Sequence, residues 1–229
     1  MACAIWRRCW WRDDMNRLTR SAFGLAVGLA SLAGYVDAVG FLQLRGLFVS
    51  FMSGNSTQLA VGLAKGAWPA AGLLAGVLLL FVAGTFVGTL IHQKAPAKGR
   101  VPSVLSLTAA LLLAAGLFQL ANLPIAVVIC ITLAMGAENA AFQRDGEVVL
   151  GLTYMTGTLV KVGQKIANSV TGGERFGWLP HLILWFGLVG GGVLGAFAFL
   201  HFGLVVIWIA GLVSLLLSLH AWRAGITAS

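Results

Sequence analysis

Two acidic residues of this chain stand inside apolar runs, in settings that are near copies of each other. Gly34-Tyr35-Val36-Asp37-Ala38 is followed by Met52-Ser53-Gly54-Asn55, and Gly136-Ala137-Glu138-Asn139-Ala140 is followed by Met155-Thr156-Gly157-Thr158. A carboxylate in hydrocarbon costs about 2.5–3.5 kcal/mol on insertion scales, so it should face protein or water. The chemistry open to Asp37 and Glu138 is a proton relay, or contact with a cation or polar solute. The plainer alternative is structural. Asp37 would pair with Arg45 or cap the start of a nearby helix, and Glu138 would pair with Arg144 or Lys161.

The residues after each acid add to the pattern. Gly54 and Gly157 permit backbone angles and close approaches that other residues do not. Each therefore breaks a helix or starts a half-helix. N–H groups exposed at such a start attract anions and polar ligands. Ser53, Asn55, Thr156 and Thr158 supply uncharged donors and acceptors, and Asn139 stands beside Glu138. One such motif is weak and reads equally as a kink or a cap. Two copies, each after a methionine and an intramembrane acid, point to one shared path.

Catalytic sets are missing. There is no HExxH, no GxSxG and no phosphate-binding loop. His92, His181, His201 and His220 fall near the ends of apolar runs without metal-site spacing. Cys3, Cys9 and Cys130 form no CxxC pair, and Cys130 reads as a small hydrophobe. No enzyme, cofactor or metal is expected.

The elements that position these residues follow from composition. Of 229 residues, 59% are hydrophobic and 10% charged, with a mean hydropathy of +0.92. A soluble domain carries about 25% charged residues. The class expected is all-α and polytopic, because a helix satisfies its backbone within the bilayer and no short alternating segments suggest a barrel. The net charge of +8 comes from membrane flanks, not from a nucleic-acid surface.

Six runs are long enough to span: 21–42, 70–92, 103–121, 124–142, 180–200 and 203–222. Segments 46–65 and 147–167 are apolar but broken by polar residues. If they re-enter and do not cross, the arginines of residues 1–20 share one side with Lys94, Lys98, Arg100, Arg144, Lys161, Lys165, Arg175 and Arg223. Only Arg45 and Lys65 fall opposite, which satisfies the positive-inside bias. Eight full crossings would move Lys94–Arg100 to the wrong side.

The spacing predicts a basic cytoplasmic tail over 1–20, a first membrane repeat over 21–121 and a second over 122–229. Met15 is an alternative start. Trp68-Pro69 opens a span in the first repeat and Trp178-Leu179-Pro180 its counterpart, while Gly84 and Gly88 match Gly191 and Gly195. Three spans per half is an odd number, so the halves are expected to be inverted, as in many transporters. The glycines four apart read as helix-packing faces.

Gly34-Tyr35-Val36-Asp37-Ala38-Val39-Gly40-Phe41 and Phe48-Val49-Ser50-Phe51-Met52-Ser53-Gly54-Asn55 resemble the signature of the YoaK-like bacterial membrane proteins. The resemblance covers the chain beyond about residue 20. Ser53 stands where that family usually shows threonine, and Met155-Thr156-Gly157-Thr158 also fits. It implies an inner-membrane protein with about six spans; it implies no substrate, because the role of those proteins is itself uncharacterised.

The expected function is translocation of a small solute or ion, with Asp37 and Glu138 gating or coupling the path from opposite sides. Asp37→Asn should then abolish transport and leave folding intact. The alternative is a non-transporting module that assists another membrane protein. Expected partners are the lipid bilayer, the solute and a second copy of the chain. Both chain ends are expected in the cytoplasm.

Overall fold

A computed structural model of the chain describes residues 19–144, 147–148 and 153–227. The basic tail, with Cys3, Cys9 and Met15, lies outside the described residues. The fold is all-helical apart from a two-residue antiparallel ladder, Gln143–Arg144 with Glu147–Val148.

Helix α1 spans Arg20–Gln43 and is capped by Thr19, whose hydroxyl accepts the Ala22 N–H at 3.2 Å. The others are α2 (Met52–Ala64), α3 (Trp68–Lys94), α4 (Arg100–Leu120), α5 (Pro124–Glu138), α6 (Met155–Val170), α7 (Leu179–Phe202) and α8 (Ile207–Arg223). Proline stands in the first turn of α3, α5 and α7, where its missing N–H forfeits no helical bond. Arg20–Gln43, Trp68–Lys94 and Ala97–Leu120 are long and apolar enough to cross a bilayer. So is the 45-residue stretch Leu179–Arg223, which breaks at Gly203 (φ 66°) into α7 and α8. Helix α5 has 15 residues. At 1.5 Å per residue it reaches only ~22 Å, short of the ~30 Å hydrocarbon core. The sequence predicts a run to 142; the helix stops at Glu138, and residues 139–142 form a buried turn.

Helix directions come from close packing at glycines. Gly191 backs onto the Ser31 carbonyl, Gly195 onto that of Tyr35, and Gly34 onto that of Leu188. These numbers rise together, so α1 and α7 run parallel. Helices α3 and α5 do the same: Gly84 backs onto Leu133, Gly88 onto Ala137, and Gly136 onto Phe81. Helices α4 and α8 run antiparallel, with Ser214 donating to the Leu105 carbonyl at 3.2 Å and Ser218 to that of Pro102 at 2.9 Å. Helix α8 also opposes α1, where Tyr35 donates to the Val206 carbonyl at 3.1 Å and Gly28 meets Leu217. A turn at Ala121–Leu123 reverses α4 into α5, with Asn122 at φ 54°.

Together these directions settle the two broken segments. Helix α1 ends on the face where α3 begins, and α5 ends on the opposite face, where α7 begins. Helices α2 and α6 therefore return to the face they left. Helix α2 packs chiefly on α3 and α6 on α7. Helix α6 exposes Leu159, Val160, Ile166 and Val170 along with Lys161, the make-up of a helix lying at a bilayer interface.

Candidate functional site

Asp37 lies in the last third of α1 and holds the chain that follows. Its Oδ1 accepts the N–H groups of Val49 at 2.8 Å and Ser50 at 2.9 Å. Asn55, fully buried in the first turn of α2, clasps Phe48 from the other side. Its Oδ1 accepts the Phe48 N–H at 3.0 Å, and its Nδ2 donates to the Phe48 carbonyl at 2.6 Å. The loop can turn there because Arg45 and Gly46 take positive φ, 52° and 107°. Gly54 leaves room for the Phe51 ring, which meets Phe48 edge-on. Asp37 thus has a structural part in this loop. It braces the approach to a helix N-terminus, and among the described residues no ion pair joins it to Arg45. A cleft of about 300 Å³ opens beside it between α1 and α7, lined by Gly34, Asp37, Ala38, Phe41, Leu188 and Gly192.

A comparable set of contacts, with weaker chemistry, follows the end of α5. Asn139 Oδ1 accepts the Thr153 hydroxyl at 3.0 Å, and its Nδ2 donates to the Met135 carbonyl at 2.9 Å. Ser50 stands two residues before Met52, as Thr153 does before Met155. Asp37 therefore corresponds to Asn139. The glycine contacts agree, since Gly191 on Ser31 and Gly195 on Tyr35 repeat as Gly84 on Leu133 and Gly88 on Ala137.

That register corrects the pairing of Asp37 with Glu138. Glu138 corresponds to Val36, a fully buried core residue. The sequence match slipped because two residues separate Gly34 from Asp37 and only one separates Gly136 from Glu138. One residue on a helix is a rotation of about 100°, so the two acids face different ways.

Glu138 is 0% exposed, and neither carboxylate oxygen has a hydrogen-bond partner among the described residues. Lys161 is exposed and makes no ion pair with it among the described residues. The side chain of Arg144 lies outside the described residues. Ser53, Thr156 and Gly157 are exposed on α2 and α6, and Thr158 donates at 3.4 Å to the Tyr154 carbonyl one turn back. The chief packing of α2 is on α3 and that of α6 is on α7.

Sequence reasoning missed the hydrogen-bond partners of these side chains, Phe48, Val49, Ser50 and Thr153. The repeated position of Ser50 and Thr153 before the methionines was the available signal. It also missed a buried polar group at the end of α3, where Gln143 Nε2 donates to Thr89 at 2.8 Å and His92 is 5% exposed.

The asymmetry between the halves is testable. Asn55→Ala leaves the Phe48 N–H and carbonyl unpaired, which should lower stability by about 2–6 kcal/mol at roughly 1–3 per buried group. Thr158→Ala removes only a long bond within its own helix and should stay within about 0.5 kcal/mol. Thermal melts of the two variants should separate clearly; equal melts would mean the Asn55 clasp does not hold the loop.

Residues 25–220 match the profile of a family described as "Protein of unknown function (DUF1275)". The chain is 34% identical over 214 residues to UPF0700 transmembrane protein RA0705 of Rhizobium meliloti (strain 1021), covering 93% of this chain and 92% of that protein. It is 28% identical over 148 residues to UPF0700 transmembrane protein YoaK of Bacillus subtilis (strain 168), covering 62% of this chain and 66% of that one. No solved structure matches it. The profile match over most of the chain and the 34% identical relative show the family: the chain belongs to the DUF1275 family of transmembrane proteins.

Proposed function

We propose that this membrane protein moves a small solute or ion across the bilayer, using two halves related by inversion. The observation that carries the reading is the duplicated packing. Each half supplies a span (α1 or α5), a short returning helix (α2 or α6) and two further spans. The same contacts occur twice, with a helix of one half seated against a helix of the other. Helices α1 and α5 run in opposite directions, so the operation that relates the halves is a half-turn about an axis in the membrane plane. Inverted repeats with discontinuous helices are the architecture of alternating access, in which the two halves exchange roles.

The distribution of charge supports an orientation. Lys94, Lys98, Arg100, Lys161, Lys165, Arg175 and Arg223 fall on the face where α1 begins, and Arg45 and Lys65 on the other. The positive-inside bias puts that first face, with both chain ends, in the cytoplasm of a bacterial inner membrane.

Single cysteines at Ser53 and Thr156, in a background lacking Cys3, Cys9 and Cys130, test this. Both positions are exposed and correspond in the two halves. Labelling from opposite sides of the membrane supports the inverted repeat; labelling from one side removes it. A thermal-shift screen of small solutes then separates a transporter from an assembly factor. The transporter is stabilised by a solute, whereas the assembly factor purifies with a stoichiometric protein partner.

A further inference from the structure

We propose that Glu138 binds and releases the proton that drives this transport cycle; the proposal rests on the transport reading above. Three independent features of its position converge. Glu138 is fully enclosed, and neither oxygen accepts a hydrogen bond among the described residues. An ionised carboxylate without a partner in such a place costs several kcal/mol, whereas a carboxylic acid costs far less. It is also the last residue of α5, where the helix dipole presents its negative end and opposes a second negative charge. Finally, it has no counterpart. The register places Val36 at the matching position, so the architecture shared by the halves does not require an acid there. Asp37, by contrast, is committed to the Val49 and Ser50 N–H groups.

The groups around it leave the carboxyl alone. On α3, His92 is buried beside Gln143 and Lys94 is exposed; on α4, Arg100 is exposed. On α1, Tyr35 donates to Val206 and Asp37 holds its loop. On α6, Lys161 is exposed. No hydrogen bond or ion pair joins any of these to Glu138 among the described residues. The side chains of Arg144, Asp145 and Glu147 lie outside them. A metal cation needs a shell of oxygens, six to eight for calcium, and the described residues hold no cluster of three or more His, Cys, Asp or Glu. A proton needs a single oxygen.

The step is simple in balance. One proton from water on one side forms an O–H bond with a Glu138 oxygen, and the site changes from −1 to neutral. In this step the enclosed state carries the neutral acid. When the halves exchange, the same proton leaves to water on the other side, and no electrons change hands.

The test uses the full chain in liposomes. A hydrophobic carbodiimide reacts with protonated carboxyls in apolar surroundings, and mass spectrometry reads the peptide that carries Glu138. Modification should be strong near pH 7 and fall several-fold as the pH rises, with Asp37 modified far less. Infrared difference spectra between about pH 6.5 and about pH 10, a window in which ordinary carboxyls stay ionised, should show a carboxylic-acid carbonyl band in wild type and in Asp37→Asn, but not in Glu138→Gln. An unmodified Glu138 at every pH, or a band that survives in Glu138→Gln, overturns the proposal. The carbodiimide arm needs no variant, so a misfolded Glu138→Gln does not blunt it. Opposite-side labelling at Ser53 and Thr156 with an unmodified Glu138 removes the proton site alone. Same-side labelling with a modified Glu138 removes the transport reading, and with it the carrying role.

Discussion

A single methyl group at Gly191 will destabilise the bundle severely, while the same group at Gly190 will be tolerated. A Cβ at Gly191 would fall on the carbonyl of Ser31, and at Gly190 it would meet nothing within 4 Å. Backbone cannot rotate away as a side chain can. Helices α1 and α7 must separate, losing the close packing that stands in for hydrophobic force between helices in lipid. Overpacking typically costs about 1–3 kcal/mol, and a clash between two backbones belongs at or above the top of that range. Gly190→Ala should instead gain up to about 1 kcal/mol in helix propensity. Gly84→Ala, against Leu133 in the other half, should behave like Gly191→Ala. Detergent-solubilised variants compared by thermal melt and size exclusion give the answer. Similar melts for Gly190→Ala and Gly191→Ala would refute the close α1–α7 contact.

The second large effect belongs to Asp37. Asp37→Ala leaves two N–H groups, of Val49 and Ser50, without their acceptor. At roughly 1–3 kcal/mol for each buried unpaired group, the loss should be about 2–6 kcal/mol. Asp37→Asn keeps a carbonyl oxygen in the same place and forfeits only the added strength of a charged acceptor, about 1 kcal/mol. Melts should therefore rank wild type, then Asn, then Ala. Proteolysis near residues 46–51 should rise in the same order. If Asn proved as damaging as Ala, the charge itself and not the hydrogen bonding would be holding the loop.

Much of the architecture was legible because its causes are local. The six runs, their prolines and the basic flanks each report on a neighbourhood of a few residues, and α1, α3, α4 and α7 fall within a few residues of the runs read from sequence. The glycine faces were legible as packing surfaces, since Gly84, Gly88, Gly191 and Gly195 have no other use at that spacing. What each one touches was not. That depends on pairing helices far apart in the chain, which hydropathy does not encode.

The register of the acids failed for a related reason. Along a linear sequence Asp37 and Glu138 look equivalent, because each follows a glycine and precedes an alanine within a few residues. On a helix the spacing to that glycine decides which way the side chain points. Gly34 and Gly136 are fixed against Leu188 and Phe81, so a one-residue difference turned one acid toward the following loop and the other into an enclosed site. The early end of α5 was hidden as well, because Asn139-Ala140-Ala141-Phe142 continues an apolar pattern through the turn.

The parallel pairs α1–α7 and α3–α5 also bear on how the chain is made. A ribosome delivers α1 first, and its closest companion, α7, more than a hundred residues later. In the interval the Ser31–Tyr35 surface has lipid, or a neighbouring insertion factor, where glycine backbone will finally sit. Helices α3 and α5 meet much sooner, separated only by α4. Assembly is therefore ordered: α3, α4 and α5 close as an early core, and α1 is captured last, when α7 and α8 arrive. A truncation that stops before α7 would leave a membrane-inserted chain with its first helix unclaimed, the kind of species that quality-control proteases remove.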